Sequence, residues 1–238
     1  MGKLIDTLNR TGQDSGPKLG FGARDADNTS SFTIVTQLAK LDNASAGAAV
    51  QNGAAAIGGP ASARKKGTGV AAKALGLDAR VACGSAGLAS GADFSIVNPT
   101  QPLGDSLSNQ DTDLVLSIPA DAPDETIRAL EALPIDAIVL EAPTPPESIE
   151  DLVPYYRVAR STSKPILARA PLAATDAHLV ALRDAGVSGL LVEVGGDQYD
   201  ALRSLNARVQ GLPAPKRRAK QSAGTASLGL SSQGRSDD

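Results

Sequence analysis

Two stretches of the chain share one hydrophobic pattern. ALEALPIDAIVLE (129 to 141) and ALRDAGVSGLLVE (181 to 193) align without a gap, at an offset of 52 residues. Each opens as the last turn of a helix and reaches a breaker, Pro134 or Gly186. A β-branched residue, a polar residue, a small residue and three apolar residues follow, and each stretch ends on a glutamate. Proline cannot continue a helix and glycine readily takes the left-handed conformation that closes one, so both positions predict a stop. A short apolar run directly after a helix predicts a parallel strand buried on both faces, half of a βαβ unit.

The unit between them fits the same scheme. KPILARAP (164 to 171) is another buried run closed by proline. PPESIEDLVPYYRVARS before it predicts a helix with Ile149, Leu152, Val153 and Tyr156 on its apolar face. Its start is placed among Pro145, Pro146, Glu147 and Glu150. Thr175 is placed to cap a helix carrying Leu179 and Leu182, and Pro123, Asp124 and Glu125 suit the start of another.

Upstream, strand-like runs recur at FTIVTQLA (32 to 39), GAAAIGGP (53 to 60), ARVACGS (79 to 85), ADFSIVNP (92 to 99) and TDLVLSIP (112 to 119). With AIVLEAP, PILARAP and GLLVEVG the count is eight. Eight strands alternating with helices predict a closed α/β barrel of the (βα)8 TIM type, with an open doubly wound sheet as the alternative. Between Ser85 and Ala92, and between Asn98 and Thr112, there is no clear helix. The barrel is therefore expected to be irregular around strands 3 to 5, or to pair one strand antiparallel.

The ends differ in kind. Residues 1 to 31 hold a short amphipathic helix with Leu4, Ile5 and Leu8, and a segment, GPKLGFGARD, suited to closing the barrel. The barrel itself is expected over 32 to 212. Residues 213 to 238, with Lys216, Arg217, Arg218 and Lys220, read as a disordered tail.

Composition narrows the chemistry. The 238 residues are 42% hydrophobic and 21% charged, with a formal charge of -3. That suits a globular core and gives no basic excess for nucleic acid. Aromatics are 3%, with no Trp, which disfavours stacking surfaces. One cysteine, Cys83, and one histidine, His178, disfavour a disulfide, most metal sites and Ser–His triads, so no metal or cofactor is expected. No run of about 18 apolar residues suggests a membrane span, and no secretion signal is read at the N-terminus. A cytoplasmic protein is the expectation.

The spacing of helix, breaker and apolar run in the last three units resembles the C-terminal half of the aldolase-type and ribulose-phosphate-binding barrels. The rhythm, with LGFGAR near the start, also resembles a group of bacterial barrel-like proteins that open with a Gly-Phe-Gly segment. The resemblance covers roughly residues 18 to 210. It implies a site at the C-terminal ends of the strands and a phosphate held by the loops after strands 7 and 8. Gly195 and Gly196 suit such a loop, while Asp197 opposes it and PLAATD after strand 7 lacks glycine.

The strand ends would bring together Gln37, Gly58, Gly59, Cys83, Ser85, Asn98, Ser117, Glu141, Arg169, Glu193, Gly195 and Gly196. The sharpest feature is IVL-Glu141, ILA-Arg169 and LLV-Glu193, one charge after three apolar residues on three successive strands. An arginine between two carboxylates is a bidentate partner for both. In one reading Glu141 and Glu193 are acid and base, and Arg169, Asn98, Ser117 and Gln37 bind substrate. In the other the charges form a satisfied structural network. GGPASARKKGTG (58 to 69), with Gly58, Gly59, Arg64, Lys65 and Lys66, is a second anion-binding candidate but lacks P-loop spacing. No lysine lies near the C-terminal end of a strand, Lys40 excepted, which disfavours a Schiff base. The expected function is a metal-independent lyase or isomerase acting on a small phosphorylated or carboxylate metabolite. The alternative is a catalytically degenerate barrel that binds ligands or proteins. A homodimer would cover any flank the missing helices expose.

Overall fold

In the computed structural model the described residues are 2–12, 31–60, 75–78, 81–86, 91–100 and 112–213. The Gly-Phe-Gly segment, the basic triplet Arg64–Lys66 and the tail cluster from Lys216 lie outside them.

All eight expected strands form. They are β1 (Thr33–Leu38), β2 (Ala56–Gly59), β3 (Ala82–Ala86), β4 (Phe94–Val97), β5 (Asp113–Pro119), β6 (Ala137–Glu141), β7 (Ile166–Arg169) and β8 (Gly189–Val194). They close in chain order into a barrel, β8 pairing back on β1. Every pairing is parallel, which removes the antiparallel alternative and the open sheet. Six helices are described: α1 (Lys3–Gly12), α2 (Asn43–Gln51), α3 (Asp124–Leu130), α4 (Ile149–Ser161), α5 (Asp176–Asp184) and α6 (Tyr199–Gln210). The link from β3 to β4 has room for no more than a turn, and the described residues between β4 and β5 form no helix.

The caps explain where helices begin. Asp42 accepts from the Ser45 N–H at 2.8 Å at the start of α2, and Thr175 accepts from His178 at the start of α5. At α4 Ser148 and Asp151 form a reciprocal capping box, so the helix starts after Ser148, within the expected stretch and with Glu150 in its first turn. Of the expected apolar face of α4, Leu152 and Tyr156 pack against the core, and Ile149 and Val153 lie exposed, at 85% and 53%. Tyr155 and Val158 are buried. The sequence offers two stripes at helical spacing. The one carrying the large Tyr155 ring docks on the barrel because it removes more apolar surface from water.

The 52-residue repeat is structural. Ile127 and Leu130 of α3 are buried as Leu179 and Leu182 of α5 are. Gly186, where the second copy breaks its helix, has φ +101°, the left-handed conformation glycine permits. Arg157 of α4 donates to the Ala120 and Ala122 carbonyls after β5, at 2.8 and 2.7 Å. Arg208 of α6 repeats this on Leu172, at 3.0 Å, and Ala174 after β7. The same offset relates Ser117 to Arg169 and Glu141 to Glu193.

Two apolar layers hold the barrel. Outside, strand residues such as Ile138, Leu140, Leu190 and Val192 pack with the helices. Inside, Val35, Phe94, Val115, Val139, Leu167 and Leu191 form a second cluster with Leu4, Ile5 and Leu8. Phe94 fits because β3 offers Gly84, where a Cβ would lie 2.5 Å from its ring. Helix α1 seals the N-terminal end of the barrel. Its first amides, Leu4 and Ile5, donate to the Asp113 carboxylate at 3.0 and 3.3 Å, and Lys3 pairs with Asp93 at 2.8 Å. Asp113 thus supplies from β5 the cap that α1 lacks in its own sequence.

Candidate functional site

Strand parity places the charges. Val139, Leu167 and Leu191 point into the barrel. Side chains alternate along a strand, so residues two further on share that face. These are Glu141, Arg169 and Glu193, at the C-terminal rim. Val35 and Val115 likewise put Gln37 and Ser117 inside, and Ala56 does the same for Gly58. Asn98 lies just past β4, exposed, two residues beyond the inner Ile96.

Four of these side chains meet. Arg169 Nε donates to Glu141 Oε2 at 2.7 Å, and Nη1 reaches Glu193 Oε1 at 3.4 Å. Ser117 Oγ donates to Glu141 Oε1 at 2.6 Å. Both Glu141 oxygens are therefore engaged, while Glu193 is held loosely and its side chain is 77% exposed. Burial pushes the Glu141 carboxyl upward, but hydrogen bonds from Arg169 and Ser117 and the guanidinium charge outweigh it and hold it below its ordinary range. The bond to Glu141 in turn raises Arg169, against its own burial. The trio carries one positive and two negative charges.

A cavity of about 360 Å³ opens at the rim between β1 and β8, lined by Gln37, Pro60, Glu193, Gly195 and Gln198 among others. The carboxamide oxygen of Gln37 is buried with no hydrogen-bond partner. After β8, Gly196 takes φ +54°, and the Gly195 N–H donates to Gln198 Oε1 at 3.2 Å. That amide is thus occupied by the turn itself. Gly59 faces outward, where a Cβ would meet Leu41 at 3.0 Å. Its neighbour Gly58 lies above the Phe94 ring. A second cavity, of about 380 Å³, lies at the other end of the barrel beside Leu8, Asn9 and Lys164. The Lys164 ammonium there donates to the Leu133 and Ile135 carbonyls.

Cys83 and Ser85 point to the outer face of β3 and do not reach the rim. Burial, with the charge of Asp93, pushes the Cys83 thiol up to about 12, so it stays protonated and is no nucleophile. Lys40 pairs with Asp42 at 3.1 Å on the surface. Among the described residues no group of His, Cys, Asp and Glu is placed to hold a metal ion, and no helix is long and apolar enough to cross a membrane.

Two further residues were not singled out from the sequence, Gln198 at the rim and Tyr155 on α4. Gln198 is signalled by its position directly after the Gly195-Gly196-Asp197 turn. Tyr155, whose buried hydroxyl lacks a partner, has its titration pushed up by burial and by the nearby Glu141 charge. An aromatic on an apolar helix face gives no signal of that in the sequence.

The chain matches no protein-family model and no curated protein sequence. Solved structures do resemble it. Thiamine phosphate pyrophosphorylase from Pyrococcus furiosus superposes with a TM-score of 0.59 at 17% identity, over 76% of this chain and 96% of that one. Native KDPGal gives 0.52 at 14%, over 74% and 91%. A variant tryptophan synthase alpha-subunit from Pyrococcus furiosus gives 0.51 at 14%, over 77% and 98%. Likeness at these identities, joined to the closed parallel barrel, shows that the chain has the aldolase-type TIM-barrel fold.

Proposed function

We propose that the barrel rim binds a small anionic metabolite through Arg169 and exchanges a proton with it through Glu193, as a metal-independent lyase or isomerase would. The observation that carries this reading is the asymmetry of the trio. Glu141 is fixed to Arg169 and Ser117 by short bonds, whereas Glu193 is weakly engaged and borders a cavity. A carboxylate held ionised by two donors is a poor proton acceptor but a good support for a guanidinium. Glu141 is therefore the positioning residue, Arg169 the anchor and Glu193 the acid–base group. An incoming carboxylate or phosphate takes over Nη1 from Glu193 and frees it beside the bound ligand.

The test is deuterium exchange at carbons adjacent to the carbonyl or carboxyl group of candidate ligands, followed by proton NMR. Exchange catalysed by the wild type and abolished in Glu193→Gln, with the ligand still bound, supports the reading. Binding without exchange in the wild type overturns the catalytic part. The second reading, a degenerate barrel serving as a binding or interaction module, would then stand. It is favoured by the Ser117–Glu141–Arg169 contacts, which engage both Glu141 oxygens within the protein.

A further inference from the structure

The rim also specifies what lies beside the ligand's anionic group. Gln37 and Glu193 are direct partners on adjacent strands, β1 and β8, and both face the interior. Their backbones are about 4.8 Å apart, the strand spacing. The cavity of about 360 Å³ borders both. Among the described residues around this pair, Glu193 and the Gln37 carboxamide oxygen are acceptors, and the carboxamide nitrogens of Gln37 and Gln198 are donors, a set that a hydroxyl, both donor and acceptor, can satisfy. Glu193 offers a carboxylate. Gln198 Oε1 has the Gly195 N–H, and Arg169 is shared between Glu141 and Glu193. Lys40, just beyond β1, pairs with Asp42. Gln37 is left with a buried carboxamide oxygen and no donor. Such an orphan acceptor is unfavourable to leave unpaired, and a turn about the last side-chain bond is soft enough to present it to the cavity.

We infer that the ligand carries a hydroxyl group within a few bonds of its anionic group, and that Gln37 and Glu193 together receive that hydroxyl. The class is a hydroxylated small anion, a hydroxy acid or a polyol phosphate. The inference rests on the Arg169 anchor proposed above. The span is set by the fold: Arg169 reaches Glu193, and Glu193 stands opposite Gln37. A ligand bridging anchor and acceptor need cross only one strand spacing. A site built to accept a hydroxyl proton rejects the analogue that lacks it, because its buried acceptor is then left unpaired.

Isothermal titration with two matched pairs tests this: malate against succinate, and glycerol phosphate against propyl phosphate. The pair that binds shows whether the anion is carboxylate or phosphate. In the wild type the hydroxylated member is expected to bind about tenfold or more tightly than its partner. Gln37→Met should bring the ratio close to one by weakening only the hydroxylated member. Gln37→Glu, which keeps an acceptor, should preserve the ratio even as added charge weakens both. Equal affinity of both members in the wild type overturns the hydroxyl assignment and leaves the Arg169 anchor standing. No binding by any of the four, at concentrations where the fold is intact by circular dichroism, overturns the anchor itself and this inference with it.

Discussion

Glu141 and Glu193 are the same residue at the same place in two copies of one repeat, yet their surroundings divide their tasks. The difference comes from the residues that precede them at the same offset, Ser117 on β5 and Arg169 on β7. Glu141 receives donors from both, and Glu193 receives only the far nitrogen of Arg169. Because the folded-state pKa of Glu141 is lowered from 4.5, its contribution to stability is complete above that value and is lost as pH falls through the lowered one. Urea unfolding of wild type and Glu141→Gln from pH 7 to 3 should therefore show a gap that is constant near neutrality and closes below about pH 4.5. The half-exposed pair limits that gap to about 1 kcal/mol. A gap independent of pH would contradict the ionised role. Glu193→Gln should act in the opposite sense on binding. It removes the carboxylate that competes for Arg169, so anion affinity measured by titration should rise several-fold while proton exchange is lost.

Among the elements, α1 and β4 show how the interior is filled. Helix α1 brings Leu4, Ile5 and Leu8 into the inner cluster, and its amides end on Asp113. Burial pushes that carboxyl above its ordinary range, against the opposing bonds from Ile5 and Leu4. Asp113→Ala leaves two buried amides unpaired and should destabilise the chain by about 1–3 kcal/mol, with faster hydrogen exchange at Leu4 and Ile5. Unchanged exchange there would show that α1 needs no such cap. On β3, Gly84→Ala drives a methyl into the Phe94 ring and should cost about 1–3 kcal/mol, less in a Phe94→Leu background. A double-mutant cycle reads the coupling, and strict additivity would contradict the contact. The strands were legible because parallel strands buried on both faces leave continuous apolar runs between breakers. The docking face of α4 was legible only in part, in Leu152 and Tyr156, since Ile149 and Val153 fit a helical stripe as well as Tyr155 and Val158 do. Only the barrel wall decides between them. Asp113 was also illegible as a cap, because it lies more than a hundred residues from the amides it receives.

Across the whole molecule the barrel is polar in direction. One end is sealed by the apolar face of α1, and the other gathers Gln37, Ser117, Glu141, Arg169 and Glu193 on strands β1 and β5 to β8. The sequence showed that a charge follows three apolar residues on β6, β7 and β8. It did not show which way those charges point, because both faces of each strand are apolar and a shift of one residue reverses the answer. Closure of the barrel settles it, since the inner cluster fixes the parity of every strand. Thermal unfolding against small carboxylates, phosphates and sulfate, in wild type and Arg169→Met, is the most direct test of a ligand site at this rim. A ligand at a hundredfold its dissociation constant adds about 2.7 kcal/mol to the folded state. A selective rise in the wild-type midpoint that disappears in Arg169→Met is the expected result. No rise with any anion, together with a large loss of stability in Arg169→Met, would contradict it and leave Arg169 as a structural bridge between two glutamates.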